Sequence, residues 1–367
     1  MDRYAPSPGT PVEHLDTPCL IVDMDAYESN LQVAADTYRD TATKMRAHTK
    51  NLKSPFLAQM QIDIGGTVGG VCCAKVSEAE VMVQNGITDI LIPNQVATDD
   101  KLVRLCGLAR RGDIKVCVDD PDNVRAISRV AEATDTNIGI LVEVDTSMGR
   151  AGVRHPQQGV DIAKLTNDLP NVRFMGVMSH QHVEGSPTVE EYTESGTRHI
   201  GMCLAVKDAI EAEGIEVEMV SSGETFSYKL ATEIPGVTEV EGGTYALMDT
   251  MLEFMSEFKF AARLVTTVVS TPRSGMAITD IGLRHLCMIN GMFGPSVEGM
   301  PGVNVADVTD EHLVLQSDGR TKLGVGDTVT LIPGYSDGLV NRWDRFIAVR
   351  NGVVEGTWDF PGRGCFH

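Results

Sequence analysis

Hydrophobic positions in this chain come in short blocks. Apolar runs cover residues 19–25, 43–50, 68–75, 89–93, 114–119, 138–145, 174–180 and 217–223. Short apolar runs bounded by turn formers are the pattern of strands buried on both faces. Between them lie longer amphipathic stretches with helical spacing. Val76-Ser77-Glu78-Ala79-Glu80 opens one, with Ser77 as N-cap and Glu80 three residues on. Asp120-Pro121-Asp122-Asn123 opens another. Strands alternating with helices predict parallel β-α units, and about eight such units predict a closed (β/α)8 barrel. No G-x-G-x-x-G follows the first run, which disfavours an open dinucleotide-binding sheet.

From about residue 256 the texture changes. Short β-like runs follow at 261–270, 276–281, 313–315, 328–332, 346–350 and 353–358. Asn351-Gly352 between the last two is a strong hairpin signal. The expected architecture is a (β/α)8 barrel over residues 1–255 and a C-terminal β domain over 256–367, with the first residues returning to the β domain. No internal repeat is evident.

Charge narrows the partners. The chain has 367 residues, 31 basic against 51 acidic, and a formal net charge of −20. That balance disfavours nucleic acid and anionic membrane as partners. No apolar run is long enough to span a bilayer, and the polar opening MDRYAPSPGTP lacks the apolar core of a secretory signal. The eight cysteines sit mostly inside apolar runs and show no C-x-x-C spacing, as buried thiols in a reducing compartment would. A cytoplasmic protein is expected.

A parallel barrel builds its active site at the C-terminal ends of the strands. The polar residues there are Lys50, Lys75, Asn94, Asp145 with Arg150, His180, His182, and Ser221-Ser222-Gly223. Arg46, His48 and Lys50 alternate, so they share one strand face, and three cations on one face demand an anion among them. A phosphate ester whose aldehyde bonds Lys50 meets that demand. Val220-Ser221-Ser222-Gly223-Glu224-Thr225 and Glu241-Gly242-Gly243-Thr244-Tyr245 are turns able to cradle a phosphate, although plain turns use the same residues. Arg150 suits a ring oxygen or carboxylate, or a surface pair with Asp145. One of His180 and His182 suits a general base. Asp337, in Pro333-Gly334-Tyr335-Ser336-Asp337-Gly338, can bind a hard cation or simply cap a turn.

Together these segments resemble the fold-type III pyridoxal-phosphate enzymes with an alanine-racemase-like barrel. Within them, the D-threonine aldolase, D-3-hydroxyaspartate aldolase and D-serine dehydratase family is most similar. The shared motifs are T-P-x-x-x-x-D at 17–23, R-x-H-x-K at 46–50, D-x-x-M-G-R-x-G-V at 145–153, the turn at 221–225, G-T-Y at 243–245 and P-G-x-x-D at 333–337. The resemblance implies pyridoxal 5'-phosphate carried on Lys50, with Arg46, His48, Arg150 and Ser222 around it. Ser221, Gly223 and Thr225 would lie near its phosphate, with Tyr245 lining the pocket. It also implies a divalent cation (Mg or Mn) on Asp337, and a homodimer. The chain departs from the family pattern at Ala47, Glu224 and Phe226, and at Tyr335, where a histidine metal ligand is usual. The implied reaction is cleavage of a small-molecule D-β-hydroxy-α-amino acid to glycine and an aldehyde, with His180 or His182 as base. Loss of water and ammonia from the same D-hydroxyamino acid is the main alternative. Racemisation and non-catalytic cofactor binding are weaker ones.

Overall fold

The computed structural model describes residues 4–181, 188–288 and 293–367. The chain divides into two compact units. One comprises residues 34–50, 55–243 and 365–367, and the other 1–33, 51–54 and 244–364.

The first unit is a closed parallel barrel. The first strand and helix of the chain, β1 (Cys19–Asp23) and α1 (Met24–Tyr38), precede its staves. The staves are β2 (Lys44–His48), β3 (Thr67–Cys72), β4 (Asp89–Ile92), β5 (Asp113–Val118), β6 (Ile138–Glu143), β7 (Val172–Ser179), β8 (Met219–Ser222) and β9 (Glu239–Gly242). Between them run α2 (Pro55–Asp63), α3 (Val76–Gln84), α4 (Asp99–Leu108), α5 (Pro121–Thr134), α6 (Pro156–Asp168), α7 (Val189–Ala212) and α8 (Tyr228–Glu233). Asp120 caps α5 by accepting the Asp122 N–H at 2.7 Å. Helix α3 starts earlier than its sequence signal: its cap is Lys75, whose N–H is accepted by Glu78 at 3.2 Å. Ser77 instead exchanges bonds with His367, its N–H donating to the His367 carbonyl at 2.8 Å.

The count of eight staves holds, but their membership differs from the apolar runs. Residues 19–23 are not a stave. They form β1, which lies in the sheet of the other unit. The eighth stave is β9, which closes the barrel by pairing in parallel with β2, Lys44 opposite Glu239 and Arg46 opposite Glu241. Its sequence, Glu-Val-Glu-Gly, has no apolar run, because its acids are answered by residues from other strands.

Those answers form a buried ionic layer near the strand starts. Arg46, 1% exposed, donates through Nε and Nη2 to both oxygens of Glu239, at 2.8 and 2.9 Å, and through Nη1 to Asp89 at 2.9 Å. Lys115 donates to the same Asp89 oxygen at 2.9 Å and to Asp113 at 2.6 Å. Staves β2, β4, β5 and β9 are thereby tied together from inside. The apolar filling includes Leu91, Cys117, Leu141, Met175 and Met178 from four consecutive staves.

The second unit is a nine-stranded sheet. Its later strands are β10 (Ala262–Arg273), β11 (Met276–Thr279), β12 (Ser296–Val297), β13 (Val303–Val308), β14 (Leu313–Ser317), β15 (Thr328–Ile332), β16 (Arg345–Arg350) and β17 (Val353–Asp359). Strand β1 sits between β10, antiparallel, and β16, parallel. Asn351-Gly352 makes the β16–β17 hairpin turn. Leu15, Cys19, Ile21, Val265, Ile347, Val349 and Val354 pack together around β1. Short helices α9 (Thr244–Leu247) and α10 (Ser336–Leu339) belong to this unit.

Six cysteines are buried, while Cys287 and Cys365 are half-buried. Burial pushes the Cys19 and Cys203 thiols up to about 12, and Cys72 and Cys117 upward likewise. No helix among the described residues is long and apolar enough to cross a membrane.

Removing Arg46 alone strands the Glu239 carboxylate inside the barrel, while Asp89 keeps Lys115. Breaking such a buried pair costs about 3–5 kcal/mol. Arg46→Met, which keeps most of the volume, should therefore lower the unfolding free energy by about that much in a urea titration. A loss below about 1 kcal/mol would show that the layer is not what closes the barrel.

Candidate active site

Strand β2 ends at His48. Lys50 falls just past it, in a single 3₁₀ turn over Thr49–Asn51. Its N–H meets His48 Nδ1 at 3.3 Å, and the Thr49 hydroxyl donates to the Cys72 carbonyl at 3.1 Å. The turn is thus moored to two staves, and Lys50 is left partly exposed at the strand's C-terminal end.

His48 and Arg46 share the inward face but sit in different layers. The anions that Arg46 faces are Glu239 and Asp89. The phosphate that the strand pattern suggested is therefore not needed to balance it, and the structure does not bring its guanidinium to Lys50. His48 instead meets Cys72 and Glu241, with one ligand atom from each all within 4.8 Å of one another. Both Glu241 oxygens accept bonds at 3.0 Å, one from the Cys72 thiol and one from the Ser221 hydroxyl. Burial, followed by the nearby charge of Glu239, pushes the Glu241 carboxyl up to about 7. An imidazole, a thiol and a carboxyl together suit a zinc-like ion better than Mg or Mn.

The β8 end carries the hydroxyls. Ser221 and Ser222 are fully buried, and Ser222 shares a 2.7 Å bond with Ser179 at the end of β7. The chain then turns at Gly223, whose φ is +123° and where a Cβ would come 3.2 Å from Val240. Only glycine takes that conformation without strain. Thr225 opens a helical turn over Thr225–Ser227, followed at once by α8. The leading N–H groups of such a turn are donors by construction, which suits a phosphate. Ser227 accepts the Glu224 N–H at 3.1 Å and donates to Gln181 at 2.9 Å, locking this turn to the end of β7.

His180 follows Ser179 at that end. It is half-buried, and its carbonyl accepts the Thr146 hydroxyl at 3.1 Å. His182 lies outside the described residues. The loop after β6 is built rather than loose. Val144 pairs with Val153, and the Gly152 N–H donates to Asp119 at 2.7 Å. At Gly152, φ is +112° and a Cβ would sit 2.4 Å from the Asp145 nitrogen. Asp145 pairs with Arg154 at 3.1 Å, not with Arg150. Arg150, half exposed, points instead at buried Glu143, 3.6 Å away. Glu143 also accepts the Gln95 amide at 2.6 Å, and burial pushes its carboxyl up.

In the sheet unit, Tyr245 on α9 is buried beside Phe258, with ring centroids 5.6 Å apart. Burial pushes its phenol up. Asp249 is fully buried and accepts the Ser336 N–H at 2.8 Å, the Ser336 hydroxyl at 3.0 Å and the Met251 N–H at 3.2 Å. Burial, then Asp337, pushes it up to about 7. Asp337, on α10, accepts the Tyr335 hydroxyl at 3.1 Å and the Asn51 side-chain amide.

Glu241 holds its proton better folded than unfolded, so its contribution to stability is full below pH 4.5 and is lost as pH rises towards about 7. Glu241→Gln removes that dependence. The variant's thermal midpoint relative to the parent should climb across this window and level off above it. A pH-independent difference would show that Glu241 ionises normally.

Residues 22–250 match the family described as alanine racemase, N-terminal domain, and residues 261–349 match a putative serine dehydratase domain. A 3-hydroxy-D-aspartate aldolase from Paracoccus denitrificans (strain Pd 1222) is 35% identical, with 97% of this chain and 94% of that protein aligned. The crystal structure of a D-threonine aldolase from Filomicrobium marinum superposes with a TM-score of 0.93 at 32% identity, covering 99% of this chain and all of that one. A D-threo-3-hydroxyaspartate dehydratase from Delftia sp. (strain HT23) is 26% identical over 90% of this chain and 97% of that protein. With its barrel matched nearly end to end and nine-tenths or more of its length aligned with these aldolases and this dehydratase, the chain belongs to the family of the alanine racemase N-terminal domain.

Proposed function

We propose that this protein is a pyridoxal-phosphate-dependent aldolase that cleaves a D-β-hydroxy-α-amino acid of the D-threonine or D-3-hydroxyaspartate type. The observation that carries the proposal is Lys50, a partly exposed amine moored at the C-terminal end of β2 in a chain alignable end to end with two such aldolases.

The cofactor fits the residues present. A glycine-permitted turn with buried hydroxyls suits its phosphate, and a lysine suits its aldehyde. Ser221, Gly223 and Thr225 would hold the phosphate, Lys50 the aldehyde carbon, and Arg150 a ring oxygen or the substrate carboxylate. When bound, the cofactor supplies an electron sink for the pair released at Cα. His180 takes the proton of the substrate's β-hydroxyl as the Cα–Cβ bond breaks, so that the hydroxyl carbon leaves as an aldehyde. A proton returned to Cα completes glycine. Glu241, bonded by Cys72 and Ser221, holds its proton more tightly than a free carboxyl does.

The match of residues 261–349 to a putative serine dehydratase domain favours a second reading, loss of water and ammonia from the same substrate class. A cytoplasmic homodimer accompanies either reading. Support comes from six buried cysteines and from the resemblance.

Incubation with D-threonine and D-3-hydroxyaspartate, with products separated by chromatography, decides between the two. Glycine with acetaldehyde or glyoxylate is the expected result, and ammonia with a keto acid would replace the aldolase reading by the dehydratase one. Lys50→Ala should lose the visible cofactor band and all turnover. His180→Ala should keep the band while turnover falls by about 10²–10⁴-fold. Full activity in the lysine variant would end the proposal.

A further inference from the structure

The family resemblance puts a divalent cation on the late turn, and the sheet unit shows what that turn offers instead. Mg and Mn need several oxygen donors, usually with more than one negative charge, in near-octahedral order. Of the turn's two charged candidates, Asp249 faces inward and is saturated by the Ser336 N–H, the Ser336 hydroxyl and the Met251 N–H. Asp337 has one oxygen covered by the Tyr335 hydroxyl at 3.1 Å and the other by the Asn51 amide NH₂. That amide is itself steadied by the Thr244 hydroxyl at 3.1 Å. Its NH₂ end, not its oxygen, faces the carboxylate. A phenol is neutral at pH 7 and turns its proton towards Asp337, so it repels a cation where an imidazole lone pair would bind one. The donor set does not fit a divalent ion.

We propose that Tyr335 and Asn51 take the place of the cation: they hold Asp337 as an internally hydrogen-bonded carboxylate, and this turn binds no divalent metal. Tyr335 is then a positioning residue for Asp337, and the single change from imidazole to phenol is what removed the metal site. The inference concerns ion binding alone, so it can fail or stand whichever reaction the barrel performs.

The test uses the full-length protein with Mn²⁺ as probe. Bound metal is counted after gel filtration, and the thermal midpoint is read with and without the ion. The parent should retain no stoichiometric Mn²⁺ and show no shift. Tyr335→His should gain about one Mn²⁺ per chain and a metal-dependent rise in midpoint. One Mn²⁺ per chain on the parent, lost in Asp337→Asn, would overturn the proposal. Failure of a folded Tyr335→His to gain an ion would overturn the role given to Tyr335. Should that variant not fold, Tyr335→Asp, which sets a second carboxylate beside Asp337, replaces it in the same Mn²⁺ count. A folded Tyr335→Asp that gains no ion would count against the role given to Tyr335.

Discussion

The barrel depends on one guanidinium. Arg46 meets both oxygens of Glu239 on the closing stave and one oxygen of Asp89 on another, deep inside the barrel. Burying these charges is costly unless each is answered, and here the answers come from different strands. The pairing does two things at once. It closes β2 against β9, and through the alternation of strand residues it fixes what lies two positions further on. His48 follows Arg46, and Glu241 follows Glu239. The ionic layer below therefore sets the register of the polar group above. The uncancelled part of Glu239's charge helps Glu241 keep its proton.

Much of this was legible in the sequence, for local reasons. Seven of the eight apolar runs are staves, since strands covered on both faces must be continuously apolar. The Asn351-Gly352 hairpin, the Asp120 cap and the lysine at the end of β2 all follow from chemistry within a few residues. What escaped was non-local. Strand β9 reads as a polar turn because its two glutamates find their partners on β2, β3 and β8 only after the chain has folded. Strand β1 is as apolar as any stave, and its sequence reads equally as a stave or as a strand returning to the β domain. The Cys72 thiol gives no spacing signal, since its companions His48 and Glu241 are distant in sequence.

The same logic separates Arg46 from Lys50. Period-2 spacing correctly puts Arg46 on the inward face, but it says nothing of depth. Four residues along the chain are enough to move a side chain from the reacting end into the structural floor. The Arg150 loop shows the converse. Its glycine at position 152 is required by a close backbone approach, which holds the segment against the end of β6.

The burial of the thiols also bears on how this protein can be followed in solution. Where burial withholds the thiolate, electrophiles find no nucleophile. Only Cys287 and Cys365 are partly accessible. One lies in the sheet unit and the other among the few last residues that count with the barrel. The molecule thus comes with one chemical handle on each unit, so that thiol labelling can follow each unit by itself.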